Sequence, residues 1–176
     1  MAVREQEIKR KREKLVNLYE TNYSKVVRYI YVRIGNQSES EDLASETFVK
    51  ALKSLDSYEE RGLPMEAWIF KIARNIVVDH LRKVSKRQTM TLDNVPISDS
   101  IDAEETAETG IQIEKLSQAL NHLSAAQREV IALRFFSGLD SVECGKLLGK
   151  KPGTVREMQS AAIRTLRKVM VQEDGQ

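Results

Sequence analysis

The sequence predicts an all-α fold: two small helical domains joined by an acidic flexible linker, the C-terminal one carrying a helix-turn-helix. Three observations predict it. Apolar residues recur at steps of three and four along most of the chain, the spacing that lines one face of a helix. The composition is lean in aromatics at 6%, with three Pro and eight Gly, which suits helices better than a sheet. Charge is also divided along the chain. The net charge is only +2, yet residues 88–114 hold seven acids and no Lys or Arg. The basic charge therefore sits on the segments that look folded. At 176 residues and 41% hydrophobic content the chain can fill one ordinary core or two small ones.

The first domain is placed at 1–87. Ile8, Leu15 and Leu18 share one helical face, and Tyr23, Val27, Ile30 and Ile34 continue at helical spacing after a break expected near Glu20 to Tyr23. Gly35 ends this helix. Ser38 and Glu41 stand three apart, as a capping box requires, and a helix runs from there to about Leu55. Ala44, Phe48, Ala51, Leu52 and Leu55 are expected inside, and Asp42, Ser45, Glu46, Val49, Lys50 and Lys53 outside. A polar loop, Asp56 to Leu63, carries Tyr58. Pro64 then opens a helix whose apolar side is Met65, Trp68, Ile69, Ile72 and Ile76, with Trp68 read as a core anchor. Its other side shows Lys71, Arg74, Asn75, Asp79 and Arg82.

Residues 88–110 lack a sustained period, carry Pro96 and are acidic, so they read as a linker. The second domain, 111–176, starts with Ile113, Leu116, Leu120 and Leu123. Ser124 with Gln127 forms a capping box for a helix bearing Val130, Ile131 and Leu133, which Gly138 stops. Asp140 is placed to cap the next helix, with Cys144, Leu147 and Leu148 on one side. Gly149 closes that helix and Pro152 opens the last. Val155, Met158, Ala162, Leu166 and Val169 form its buried stripe, backed by Arg156, Gln159, Ser160, Arg164 and Arg167.

That last pair of helices is a helix-turn-helix. Its stripe packs the second helix on its partner while Arg and Gln reach base edges in a major groove. Such pairs also occur in proteins that never touch DNA, but residues 146–168 hold seven Lys or Arg against one acid, Glu157. Arg156, Gln159 and Ser160 are the candidate base readers, and Thr154, Arg164 and Lys168 the phosphate contacts. A second basic patch, residues 71–87, has six Lys or Arg against one Asp. A basic helix beside an aromatic-bearing polar loop suits single-stranded DNA, whose bases are unstacked and can be captured.

No nucleophile–base pair, Gly-rich phosphate loop or metal-ligand spacing is present, so no enzyme, cofactor or metal is expected. Cys144 allows no internal disulfide and reads as a buried thiol. The charged N-terminus lacks a signal core and no apolar run reaches membrane-spanning length, so the expectation is a soluble, cytoplasmic protein without membrane insertion.

With both domains laid out, the chain from Leu18 to Met170 resembles bacterial sigma factors of the extracytoplasmic-function group, in the sigma-70 family. ESEDLASETFVKAL is similar to the helix that docks on the polymerase clamp, and MEAWIFKIARNIVVDHLRK to the helix facing the melted promoter. The segment from Leu123 to Lys168 is similar to the domain that reads the −35 element. The resemblance implies core RNA polymerase and promoter DNA as partners, and leaves room for an anti-sigma factor. It implies core contact through Asp42, Ser45, Glu46, Val49 and Lys50. It also implies that Tyr58 and its loop cup a flipped −10 base, with Lys71, Arg74, Asn75 and Arg82 lining the strand.

Three positions depart from the family pattern. Ser45 stands where the family often has Gln, and Leu63-Pro64 replaces a more polar start to the helix. Cys144-Gly145 replaces a branched apolar residue and Ala, which predicts a weaker first helix in the motif, since helical Gly costs about 1 kcal/mol against Ala. Two other classes compete: a regulator acting on duplex DNA without polymerase, and a module whose helices serve only a protein partner. The first leaves the Asp42–Lys53 surface and the second basic patch without a role.

Overall fold

A computed structural model describes residues 1–88, 115–116 and 118–175. The acidic linker, with its apolar residues Met90, Leu92, Val95, Ile97 and Ile101, lies outside the described residues, as does Ile113. Among the described residues the regular structure is entirely helical.

Helix α1 runs unbroken from Ala2–Ile34, so the break expected near Glu20 is absent. Thr21 and Asn22 are weak helix formers, but Tyr19 and Tyr23 both pack on Phe48 of the next helix, at ring-centroid distances of 5.1 and 6.2 Å. Tertiary packing of this kind outweighs a few tenths of a kcal/mol of propensity. Helix α2, Gln37–Ser54, is capped by Asn36 rather than by the Ser38–Glu41 box. Gly35 closes α1 and leaves one extended residue, Asn36, whose side chain accepts from the Glu39 N–H at 2.9 Å. With so short a link the helix has already started at Ser38.

Ala44, Phe48, Ala51 and Leu55 form the inner stripe of α2, whereas Leu52, expected inside, is 56% exposed. The stripe is complete without it, and Leu52 falls three residues after Val49 on the outer face. A short 3-10 turn, Leu55–Ser57, leads to the loop and then to α3, Met65–Gln88. Met65, Ile69, Phe70, Ala73 and Val77 are buried against α1 and α2, with Phe70 edge-on to Tyr29 at 5.8 Å.

The second unit begins with a helical stretch at 118–120 and continues in α4, Ala125–Ile131. Its capping box is present: Gln127 N–H donates to Ser124 Oγ and Ser124 N–H to Gln127 Oε1, both at 3.2 Å. A wide π turn, Ala132–Phe136, follows and was not legible in the periodicity. The chain is turned out of it by Ser137, whose N–H reaches Ala132 O and whose hydroxyl donates to Leu133 O.

Helix α5, Ser141–Leu148, starts from a reciprocal cap between Asp140 and Glu143 and ends at Gly149, whose φ of 64° is left-handed. Helix α6, Pro152–Asp174, carries Pro in its first turn, where no N–H is needed. Gly145 corrects an expectation. A Cβ there would lie 2.5 Å from the Lys150 carbonyl oxygen, while the Lys150 N–H donates to Gly145 O at 2.9 Å. The missing side chain lets the turn fold back onto α5, so this Gly fits the tight turn rather than merely weakening the helix.

The two units are packed together. The π turn lies on α1, and α1 also meets α4. This is why the C-terminal half of α1 is covered on nearly all sides, with Val26, Tyr29, Ile30, Val32 and even Arg33 buried.

Candidate nucleic-acid interface

Val155 and Ala162 are fully buried and Met158 and Leu166 partly so, which seats α6 on α4 and α5. That seating leaves Thr154, Arg156, Ser160, Arg164 and Lys168 exposed along one side. Gln159 is half-buried. Its Oε1 accepts from Arg134 Nε at 2.8 Å, and Arg134 Nη1 also donates to Leu139 O at 2.7 Å. Arg156 Nη1 donates to Ser141 Oγ at 3.1 Å. Two of the three candidate base readers are thus held by groups of their own domain. Arg134 was missed in the sequence because it lies in the π turn, where the helical period fails.

On α3, Lys71, Asn75 and Arg82 are exposed, and Arg82 stands 3.6 Å from Asp79. Arg74 is different: its side chain is half-buried and its Nε donates to Glu129 Oε1 of α4 at 2.6 Å. Tyr58, which the resemblance expects to cup a flipped base with its loop, is only 6% exposed. The ring packs on Trp68 at 4.6 Å and its hydroxyl donates to Leu63 O at 3.3 Å. Burial, with Glu60 adding, raises the phenol above its ordinary pKa of 10.0. The tyrosine therefore braces the loop from inside. Beside it lies an open depression of about 270 Å³ lined by Ser54, Ser57, Tyr58, Glu59, Arg61 and Trp68. Trp68 both packs on the core and walls this depression.

On α2, Asp42, Ser45, Glu46, Val49 and Lys50 are all exposed on the outer face. Lys50 pairs with Glu46 at 3.0 Å, and Ser45 Oγ lies 3.4 Å from the Tyr23 hydroxyl. Val49, Leu52 and Tyr19 of α1 are about half exposed and add apolar area to that face. Leu52 could have been found from its step after Val49. Tyr19 could not, because its place beside α2 is a tertiary fact.

Each of the two units presents a helical face rich in Lys and Arg, one of them within a helix-turn-helix. Residues 18–87 match the family model of Sigma-70 region 2, and residues 113–166 that of Sigma-70 region 4. The chain is 34% identical over 158 residues to the ECF RNA polymerase sigma factor BldN of Streptomyces coelicolor, covering 87% of this chain but 59% of that longer protein. It is 30% identical over 166 residues to the ECF RNA polymerase sigma factor SigD of Mycobacterium tuberculosis, covering 91% of this chain and 78% of that one. In fold it is similar to the sigma factor RpoE of Bartonella quintana, solved with the anti-sigma factor NepR. The TM-score is 0.76 at 24% identity, over 90% of this chain and 97% of that one. The chain belongs to the ECF sigma factors of the sigma-70 family, which sets aside the polymerase-independent regulator. Among the described residues no helix is long and apolar enough to cross a membrane.

Proposed function

We propose that this sigma factor divides promoter recognition between its two basic faces. Residues 1–87 dock on core RNA polymerase through Asp42, Ser45, Glu46, Val49 and Lys50, and hold the opened −10 strand along Lys71, Arg74, Asn75 and Arg82. The flipped base enters the depression between the loop and Trp68, with Tyr58 shaping its wall. Residues 111–176 read the duplex −35 element through Arg156, Gln159 and Ser160, while Thr154, Arg164 and Lys168 hold phosphates. Residues 88–110 tether the two. The protein acts by binding, in the cytoplasm, and leaves the chemistry to polymerase. An anti-sigma factor is the further partner its family membership suggests.

The observation that supports this reading is the pairing of an exposed basic face on α6, inside a helix-turn-helix, with an exposed basic face on α3 beside an open depression. Helix α6 is the second helix of the helix-turn-helix, whereas α3 borders an open depression walled by its Trp68. Run-off transcription with core polymerase on randomised upstream DNA tests it. The expected outcome is selection of two separated elements, the upstream one altered by Arg156→Ala and the downstream one by Asn75→Ala. Selection of a single element, or of none, would refute the division.

A further inference from the structure

Arg134 of the π turn holds two groups at once. Its Nε donates to Gln159 Oε1 at 2.8 Å, and its Nη1 to the Leu139 carbonyl at 2.7 Å. Tied to the backbone that leads into α5, the guanidinium is not free to swing away from α6. A guanidinium carries donors and no acceptor, so of the two ends of the Gln159 amide only the oxygen can face it. The chemistry of the pair therefore fixes how the amide is turned. Its amine, Nε2, is directed away from Arg134, and among the described residues nothing accepts from it. Gln159 lies on α6 three residues after Arg156 and one before Ser160, both of them exposed.

We propose that Arg134 sets base specificity in the −35 element: by engaging the Gln159 oxygen it makes Gln159 a donor, which selects a base edge that offers acceptors. A free glutamine amide suits adenine, accepting from N6 while it donates to N7. Here the oxygen already accepts from a cation, and an adenine amine brought to it would meet that positive charge. Guanine offers the Gln159 amine two acceptors, O6 and N7, and thymine offers one, O4. Cytosine opposes it with a donor, N4. Guanine is therefore the base selected, and adenine loses the advantage that glutamine ordinarily gives it. Arg134 itself need touch no base; it is a positioning residue that acts through Gln159.

The inference rests on the base-reading role proposed for Gln159, and the test separates the two. The full chain with core polymerase selects bound fragments from a duplex library randomised over the upstream element. Sequencing then gives the preference at each position. Gln159→Ala marks the base pair that Gln159 reads, as the position whose preference it relaxes. If it relaxes none, Gln159 is no reader, and that part of the reading of α6 falls together with the inference. At the marked position the wild-type chain should favour G·C in one orientation over its reverse and over A·T. The expected margin is about fivefold, the worth of one ordinary hydrogen bond. Arg134→Met removes the guanidinium and should raise A·T at least to equality with G·C. Gln159→Glu keeps a partner for Arg134, now as an ion pair, and turns an acceptor outward in place of the amine. Its preference should move to the reversed pair or to A·T, where cytosine or adenine can donate. A wild-type preference for A·T would overturn the inference while leaving Gln159 a reader, and so would an unchanged preference in Gln159→Glu. A merely structural role for Arg134 would weaken binding to all sequences alike and keep the G·C preference, which also overturns it. Circular dichroism checks helical content, and should Arg134→Met unfold, Gln159→Glu decides alone.

Discussion

The two basic faces differ in what holds them. On α6 the readers are braced from within: Arg134 fixes Gln159 and Ser141 fixes Arg156. On α3 the central arginine is held from outside, by Glu129 of the other domain. A face braced by its own domain meets DNA already organised, which lowers the side-chain ordering cost of binding. On α3 only Arg74 is held in this way, and its contact with Glu129 must break before that guanidinium can meet a strand. On the roles proposed above, the duplex face is organised by its own domain, whereas the strand face has its central arginine engaged by the other.

The largest effect is expected where the duplex face depends on one backbone approach. Gly145→Ala places a methyl 2.5 Å from the Lys150 carbonyl oxygen, and the turn has little room to give. The variant should lose about 2–3 kcal/mol of stability, measurable by denaturant unfolding, as overpacking commonly does. It should also lose −35 binding more than strand binding; equal losses would erase the distinction between the faces. The neighbouring Cys144 gives a pH handle on the same helix. Burial pushes its thiol from 9.0 to about 11. The folded state keeps the proton that the unfolded state releases, so this contribution is complete below pH 9 and is lost as pH rises from 9 to 11. Cys144→Ala should flatten that alkaline limb.

How much of this was legible in the sequence depends on the range of each cause. The caps at Asp140 and Ser124 and the stop at Gly149 are decided within four residues, and local pattern placed them. The cap of α2 was placed at Ser38 and lies at Asn36, because the end of α1 decides where α2 starts. The continuity of α1, the burial of Tyr58 and the position of Tyr19 are set by rings arriving from other helices. Glu129 is the clearest case. Nothing in its neighbourhood marks it, since its partners Arg33 and Arg74 are 96 and 55 residues away.

The α2 surface proposed to meet polymerase should respond next most strongly. Reversing Asp42 and Glu46 to Lys leaves the buried stripe of α2 intact, so helical content should hold. Co-purification with core should fall by about tenfold or more, equivalent to about 1.4 kcal/mol. Leu52→Ser should weaken the same contact without changing its salt dependence, because it removes only apolar area. Wild-type recovery of both variants would mean that core meets another face.

On α6 the loss should be of similar size but selective. Arg156→Ala should cost about 1–3 kcal/mol at the preferred upstream element and relax preference at one or two positions. Arg164→Ala should weaken all sequences alike and reduce the salt slope by about 1. If both variants keep the wild-type preference profile, the bracing of Arg156 by Ser141 has no part in reading.

The smallest expected effect is the one that most directly probes the face on α3. Asn75 is exposed, one residue from Arg74, and its amide can donate to and accept from the pairing edge of an unstacked base. Closed B-form DNA hides that edge, so Asn75 has work only after melting. Asn75→Ala should therefore leave core binding and −35 affinity unchanged, and lower open-complex formation on closed linear promoters by about fivefold, the loss of about 1 kcal/mol for one hydrogen bond. A template with a pre-melted bubble should recover most of it, since the energy of unpairing no longer has to be met by capture. Permanganate reactivity of promoter thymines reports the opening directly. Normal thymine reactivity in Asn75→Ala would take the single strand away from α3, and with it the contrast between the two faces.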